Sequence, residues 1–92
     1  MNADDNIKIE FNPSAFKHGC TEEDIYQAFN TFFYDGEVID DQDAEDKYLL
    51  IGLDLNANLV EVMYNVIDDV SINVFHAMKC RKVYLYLVEK QE

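Results

Sequence analysis

The sequence has no tryptophan, a single proline, three glycines and only two cysteines. Cys20 and Cys80 form no CxxC pair, and neither has a second metal-ligating residue at a suitable spacing, which argues against a zinc site. We expect two reduced thiols; a disulfide or a redox pair is the alternative. No apolar run approaches the roughly 18 residues of a membrane-spanning helix. The acidic N-terminal residues do not resemble a signal peptide, so we expect a cytoplasmic protein.

Basic side chains are scarce as well. Seven Lys and Arg face 19 Asp and Glu, so the net charge is −12 at pH 7. A surface of that sign repels phosphate backbones over roughly a Debye length, about 8 Å at physiological salt. The charge therefore argues against unspecific DNA binding and favours a basic protein partner.

The length of 92 residues predicts a single α+β domain spanning residues 1–92. Apolar residues make up 49% of the chain, with six Phe and six Tyr, which argues against disorder. Alternation with period two predicts strands at residues 7–11, 47–55, 59–67 and 70–78. The last three are joined by short turns and predict an antiparallel meander.

Helix signals stand at three places. Pro13 can begin a short first helix. Thr21 and Asp24 are spaced as a capping box at the start of a second, whose apolar stripe would be Ile25, Ala28, Phe29, Phe32 and Phe33. Residues 81–89 have a composition that suits a strand or a helix, and we assign a helix. The predicted fold is an antiparallel sheet with helices packed on it, in the order β-α-α-β-β-β-α.

An acidic segment follows the second helix: residues 35–46 carry seven acids and no base. The first, third and fifth positions of a calcium-binding loop would be Asp41, Asp43 and Glu45. Asp46 then stands where the turn glycine belongs, and Gly52 stands where the bidentate glutamate belongs. We therefore predict a solvated loop, and no metal or cofactor. Gly52, inside a strand, indicates a bulge or a close approach of another backbone.

The bases that exist are clustered. Lys79, Arg81 and Lys82 are three of the seven, and Tyr84 follows them. Arg and Lys near His76 and Tyr84 can hold a phosphate and stabilise charge developing on it. The alternative is a small patch that neutralises nearby acids.

The two histidines have two interpretations each. His76 is predicted on the strand face of Val70, Ile72 and Val74, where it is either a hydrogen-bonded core residue or part of a site. His18 either interacts with the carbonyl end of the first helix or belongs to the site. The candidate catalytic residues are therefore His76, Lys79, Arg81 and Tyr84, with His18 as an outlying member.

Several segments resemble the BrnT-type toxins. The first is residues 17–25, Lys17-His18-Gly19-Cys20-Thr21-Glu22-Glu23-Asp24-Ile25. Others are residues 50–52 and 59–62, and the closing segment from His76-Ala77-Met78 through Arg81 to Tyr84-Leu85. The resemblance covers residues 7–87.

That resemblance implies a RelE-type ribonuclease fold and a bacterial toxin–antitoxin module. It further implies RNA cleavage without a metal, in which the 2′-hydroxyl attacks its own phosphate, and neutralisation by a basic DNA-binding antitoxin. In such chemistry Arg and Lys stabilise the charged transition state while His or Tyr moves protons. The alternative function is a catalytically inactive, acidic interaction module on the same fold.

Overall fold

The computed structural model describes residues 7–38 and 47–89, and within them it shows a mixed α+β fold. The strands are β1 (Lys8–Phe11), β2 (Tyr34–Val38), β3 (Lys47–Leu53), β4 (Leu59–Asp68) and β5 (Ser71–Lys79). The α-helices are α1 (Glu22–Asn30) and α2 (Leu85–Glu89), and 3-10 helices span Pro13–Phe16 and Lys82–Tyr84. The helix predicted near the C-terminus is thus confirmed, as is the short one that begins at Pro13.

The five strands form one sheet in the order β1-β5-β4-β3-β2. Strands β2 to β5 pair antiparallel, which confirms the predicted meander of β3, β4 and β5. Strand β1 pairs with β5 in parallel, with Ile9 opposite Ile72. The prediction of a wholly antiparallel sheet was therefore wrong at β1, because alternation shows which face of a strand is buried but not in which direction it pairs.

Strand β2 is an element that the sequence analysis missed. Residues 35–38 were assigned to the acidic loop, yet they pair with β3, with Asp35 opposite Leu50 and Glu37 opposite Tyr48. Acids and Gly36 lower strand propensity, but β2 lies at the end of the sheet, where its acidic side chains remain exposed. Asp41, Asp43, Glu45 and Asp46 lie outside the described residues.

Helix α1 and the first 3-10 helix cover one face of the sheet. Their buried residues Ile25, Ala28 and Ala15 belong to a core that includes Val62 and Val74. The helix ends at Asn30, so the prediction of an apolar stripe reaching Phe33 was wrong. Thr31 follows the helix, and its hydroxyl donates to Gln27 O at 2.8 Å and accepts from Leu53 N at 3.0 Å. That contact turns the chain towards the sheet and leaves the next two residues, both Phe, exposed.

A β-bulge in β5 places His76 on the other face. Tyr64 lies opposite Val74, but Met63 lies opposite His76, so Phe75 is an extra residue in the pairing. Beyond the bulge Ala77, not His76, is buried in the core with Val74. The predicted shared face of His76 and Val74 was therefore wrong, because one inserted residue reverses the alternation that follows it.

The capping box at the start of α1 is confirmed and gives a direct stability test. Thr21 Oγ1 accepts from Asp24 N at 3.1 Å, and Asp24 Oδ2 accepts from Thr21 N at 3.1 Å. Thr21→Ala removes the first bond, and we expect it to cost about 1 kcal/mol of unfolding free energy. Urea denaturation measures this, with Thr21→Ser as the control that keeps the hydroxyl and should stay within about 0.5 kcal/mol of wild type. Equal losses in both variants would contradict the capping role.

Candidate functional site

A fully buried carboxylate lies at the centre of the candidate site. Glu61 is on β4, between Val60 and Val62, and its side chain is 0% exposed on the sheet face opposite α1. Cross-strand pairing sets it beside Ile51 and Met78. An ionised group in such surroundings is costly unless it is paired and hydrogen-bonded.

Arg81 supplies that pairing from the segment after β5. Its Nη2 donates to Glu61 Oε2 at 2.6 Å, and its Nε lies 3.1 and 3.0 Å from the two carboxylate oxygens. Its backbone N–H also donates to Oε1, at 2.9 Å. This fork geometry is the strongest form of an arginine–carboxylate pair. These bonds fix the direction of the chain after the end of β5.

Protonation of Glu61 follows from these bonds. Burial acts to raise the pKa of its carboxyl, but the hydrogen bonds from Arg81 and His76 outweigh it, and the pKa is lowered. The bonds to Glu61 in turn raise the pKa of the Arg81 guanidinium. The pair is therefore ionised on both sides at neutral pH, and Glu61 acts only as a hydrogen-bond acceptor.

The acceptor role of Glu61 determines the state of the first histidine. His76 Nε2 lies 2.9 Å from Glu61 Oε2. Since the carboxylate is ionised, Nε2 carries the proton, and Nδ1 of a neutral His76 ring holds the lone pair. The side chain of His76 is 21% exposed, so the ring is held from the protein side while an edge remains open to solvent.

The second histidine comes from the other end of the chain. The loop after the first 3-10 helix brings the exposed ring of His18 to 5.7 Å from that of His76, with an interplanar angle of 71°. A hydrogen bond holds this segment against β5: Ser14 Oγ donates to Phe75 O at 2.6 Å. The structure thus brings together two imidazoles that are 58 positions apart in sequence.

Of the remaining candidates, Tyr84 joins the cluster and Lys79 does not. The guanidinium carbon of Arg81 lies 5.5 Å from the centre of the Tyr84 ring, as in a cation–π contact. Lys79 pairs opposite Val60, so its exposed side chain projects from the sheet face opposite to that of Glu61. The structure therefore gathers four of the five predicted residues, His18, His76, Arg81 and Tyr84.

Glu61 itself was not predicted. Strand alternation assigned it to the face opposite Val60 and Val62, which usually means the solvent side. The available signal was that β4 lies between two other apolar strands, where both faces tend to be buried. An acidic residue buried in such a strand needs a cationic partner. Arg81, the one arginine in the sequence and five positions after His76, was the available candidate.

The two cysteines do not add a nucleophile. Cys20 and Cys80 are both free thiols. Burial is the main reason that each thiol pKa is raised, assisted by the charge of Asp24 for Cys20 and of Glu61 for Cys80. A raised pKa keeps both as thiols at neutral pH, and thiols are poor nucleophiles.

Within residues 7–38 and 47–89, no three His, Cys, Asp or Glu side chains meet in a way that could hold a metal ion. In the same part of the chain, no helix has the length and apolarity to cross a membrane.

No family model, curated protein or solved structure matches the chain. The geometry of the site is therefore the basis for inferring function. A pair of imidazoles, one of them oriented by a buried carboxylate, is an arrangement suited to general acid–base catalysis.

Proposed function

We propose that this protein is a BrnT-like toxin of a bacterial toxin–antitoxin module, acting in the cytoplasm as a metal-independent ribonuclease. The observation that carries the proposal is the contact between the His18 and His76 rings, 5.7 Å apart, with His76 held by Glu61. Two imidazoles at one site can act as base and acid in the same reaction, and neither step needs a metal.

The chemistry follows from the lone pair on His76. Nδ1 removes the proton from an RNA 2′-hydroxyl, and the oxygen attacks the adjacent phosphorus. The bond from phosphorus to the 5′-oxygen breaks, and protonated His18 donates a proton to that leaving oxygen. The products are a 2′,3′-cyclic phosphate and a 5′-hydroxyl end, and His76 has gained one proton while His18 has given one up.

Arg81 has a smaller part in this mechanism than its sequence position suggested. Its Nε and Nη2 are used by Glu61, so most of its charge is neutralised inside the protein. Its side chain is nevertheless 48% exposed, which leaves Nη1 as the donor available to a phosphate oxygen. We assign Glu61 and Arg81 chiefly to positioning His76.

The second candidate function is an inactive, acidic interaction module. The observation that favours it is the same neutralisation of Arg81, in a chain of net charge −12. Such a chain repels RNA at long range and attracts a basic protein. Both candidates share a basic antitoxin as partner, so only an activity measurement separates them.

The test is inducible expression in a heterologous bacterium, with growth and RNA integrity followed. We expect wild type to arrest growth and His18→Ala to relieve the arrest, because losing a general acid or base costs about 10²–10⁴ in rate. His18 is exposed, so its variant should melt like wild type. Lys8→Ala, a change of an exposed residue on β1, is the control that should still arrest growth.

Arg81→Ala is not a specific test of catalysis, because it also leaves Glu61 buried without its partner. His76→Ala should be read with a thermal melt, because it also removes a hydrogen bond from the buried Glu61: lost activity in a variant that is still folded at the growth temperature supports the site. Normal growth under verified soluble expression of wild type would overturn the ribonuclease proposal and leave the interaction module.

A further inference from the structure

The two edges of the sheet differ in how well they are protected. An edge strand presents a row of main-chain N–H and C=O groups to solvent, and native proteins protect such rows with Lys, Pro or a covering segment. Strand β1 has only four residues and carries Lys8. The Pro13–Phe16 helix then covers the part of β5 that β1 does not reach, through Ser14 and the Phe75 carbonyl.

Strand β2 has none of these protections within the described residues. It is the terminal strand of the sheet, pairs with β3, and contains no Lys or Pro in Tyr34–Val38. Phe32 and Phe33, which lead into it, are 51% and 41% exposed. An open strand flanked by exposed aromatic rings is the kind of surface that binds an extended peptide.

The charge on this edge has one sign. Asp35 and Glu37 are both exposed and lie opposite Leu50 and Tyr48, so they project from the same sheet face. Asp35 accepts from Tyr64 Oη at 2.7 Å, and the Tyr64 ring stacks on that of Tyr48 at 5.3 Å. Two carboxylates beside an aromatic pair match a cationic side chain with an apolar stem.

We infer that the β2 edge is a docking surface for an extended basic segment of a partner protein, which adds to the sheet as a sixth strand. Main-chain hydrogen bonds to β2 give affinity, and Asp35 and Glu37 select a partner segment with Lys or Arg at alternate positions. A second copy of this chain is a poor occupant, because β2 against β2 would place like charges opposite each other. This inference rests on the proposed basic partner but not on RNA cleavage.

The test uses a fluorescent octapeptide of alternating Arg and Val, acetylated at its N-terminus, with ¹⁵N-labelled full-length protein. We expect amide shifts to change at residues 33–38 and to stay unchanged at β1. The same peptide N-methylated at its four central residues cannot pair as a strand, and a version with Glu in place of Arg has the wrong charge. Neither should bind.

Charge reversal at the two edges gives the matched comparison. Glu37→Lys should weaken peptide binding about fivefold, the upper range for one cross-strand charge pair. Glu10→Lys makes the same change on β1 and should leave binding unaltered. Binding that ignores N-methylation, maps elsewhere, or is absent would overturn the inference. Growth arrest without peptide binding would reject the docking surface alone, and peptide binding without arrest would reject the ribonuclease alone.

Discussion

Glu61→Gln is expected to lower the free energy of unfolding by about 3 kcal/mol at pH 7. The carboxylate accepts four N–H groups, from the backbone, Nε and Nη2 of Arg81 and from His76. A carboxamide of the same shape has one oxygen, and in either orientation its NH₂ group faces donors. We place the loss near the lower end of the range for broken buried pairs, because Arg81 is half exposed and can regain water.

The loss should depend on pH with a defined sign. The folded-state pKa of Glu61 is lowered from its ordinary value of 4.5, so the folded protein holds the ionised form more strongly than the unfolded chain does. The contribution is present above that ordinary value and is lost as pH falls through the folded pKa. The gap between wild type and Glu61→Gln should therefore be constant near neutrality and shrink in acid.

Urea denaturation at several pH values measures this gap. The carboxyls of Asp24 and Asp35 also titrate in acid. Backbone hydrogen bonds lower the pKa of the first. The pKa of the second is raised because its carboxyl, although the residue is exposed, is partly desolvated where it meets Tyr64. Both groups are present in wild type and variant and cancel in the difference. Glu10→Gln, on an exposed residue, is the control and should change stability by less than about 0.5 kcal/mol. A gap that does not change with pH would argue against the charged pair.

Much of the architecture could be predicted from local pattern. The meander and the capping box each depend on residues close together in sequence, where spacing carries the information. For the close approach at Gly52, the sequence indicated the position in the strand but not the partner, which is the backbone of Ala28 in α1. The pairing of β1 with β5 could not be predicted in this way, because it depends on which edge of the sheet is free after β3, β4 and β5 have paired. Strand β2 could not either, since its pairing with β3 overrides a composition typical of loops.

The structure brings together four of the five candidate residues named from the sequence, leaves Lys79 on the other sheet face, and adds Glu61 at the centre of the cluster. The cluster of His76, Arg81 and Tyr84 was visible because these residues are close in sequence. The face on which His76 lies was not, since the bulge at Phe75 arises from the pairing with β4 and leaves no mark in the alternation. From the alternation alone, Glu61 is predicted to face solvent. Only the structure shows that the sheet face on which it lies is also buried.

Gly52→Ala is expected to cost about 2 kcal/mol of unfolding free energy, because it forces the α1 backbone away from the sheet. A Cβ at this buried position of β3 would lie 2.9 Å from both the Cα and the carbonyl carbon of Ala28, and nearer still to its oxygen. Ala28 is 0% exposed, so its backbone has no open space beside it. Main-chain atoms cannot rotate aside as a side chain can.

The helix is also held to the sheet at two nearby points, which prevents a local adjustment. Leu53 N donates to Thr31 Oγ1 at 3.0 Å, and Leu55 N donates to Asp24 Oδ1 at 3.1 Å. Gly36→Ala in β2 is the matched control: a Cβ there meets the ring of Tyr34, with Cζ at 2.8 Å, and that side chain can rotate. We expect the control to lose less than about 1 kcal/mol, and urea denaturation compares the two. Faster amide exchange in α1 of the Gly52 variant alone would show that the helix has moved. Equal losses of unfolding free energy in both variants would mean that replacing any glycine in a strand has this cost, and that the approach of α1 to Gly52 is not its cause.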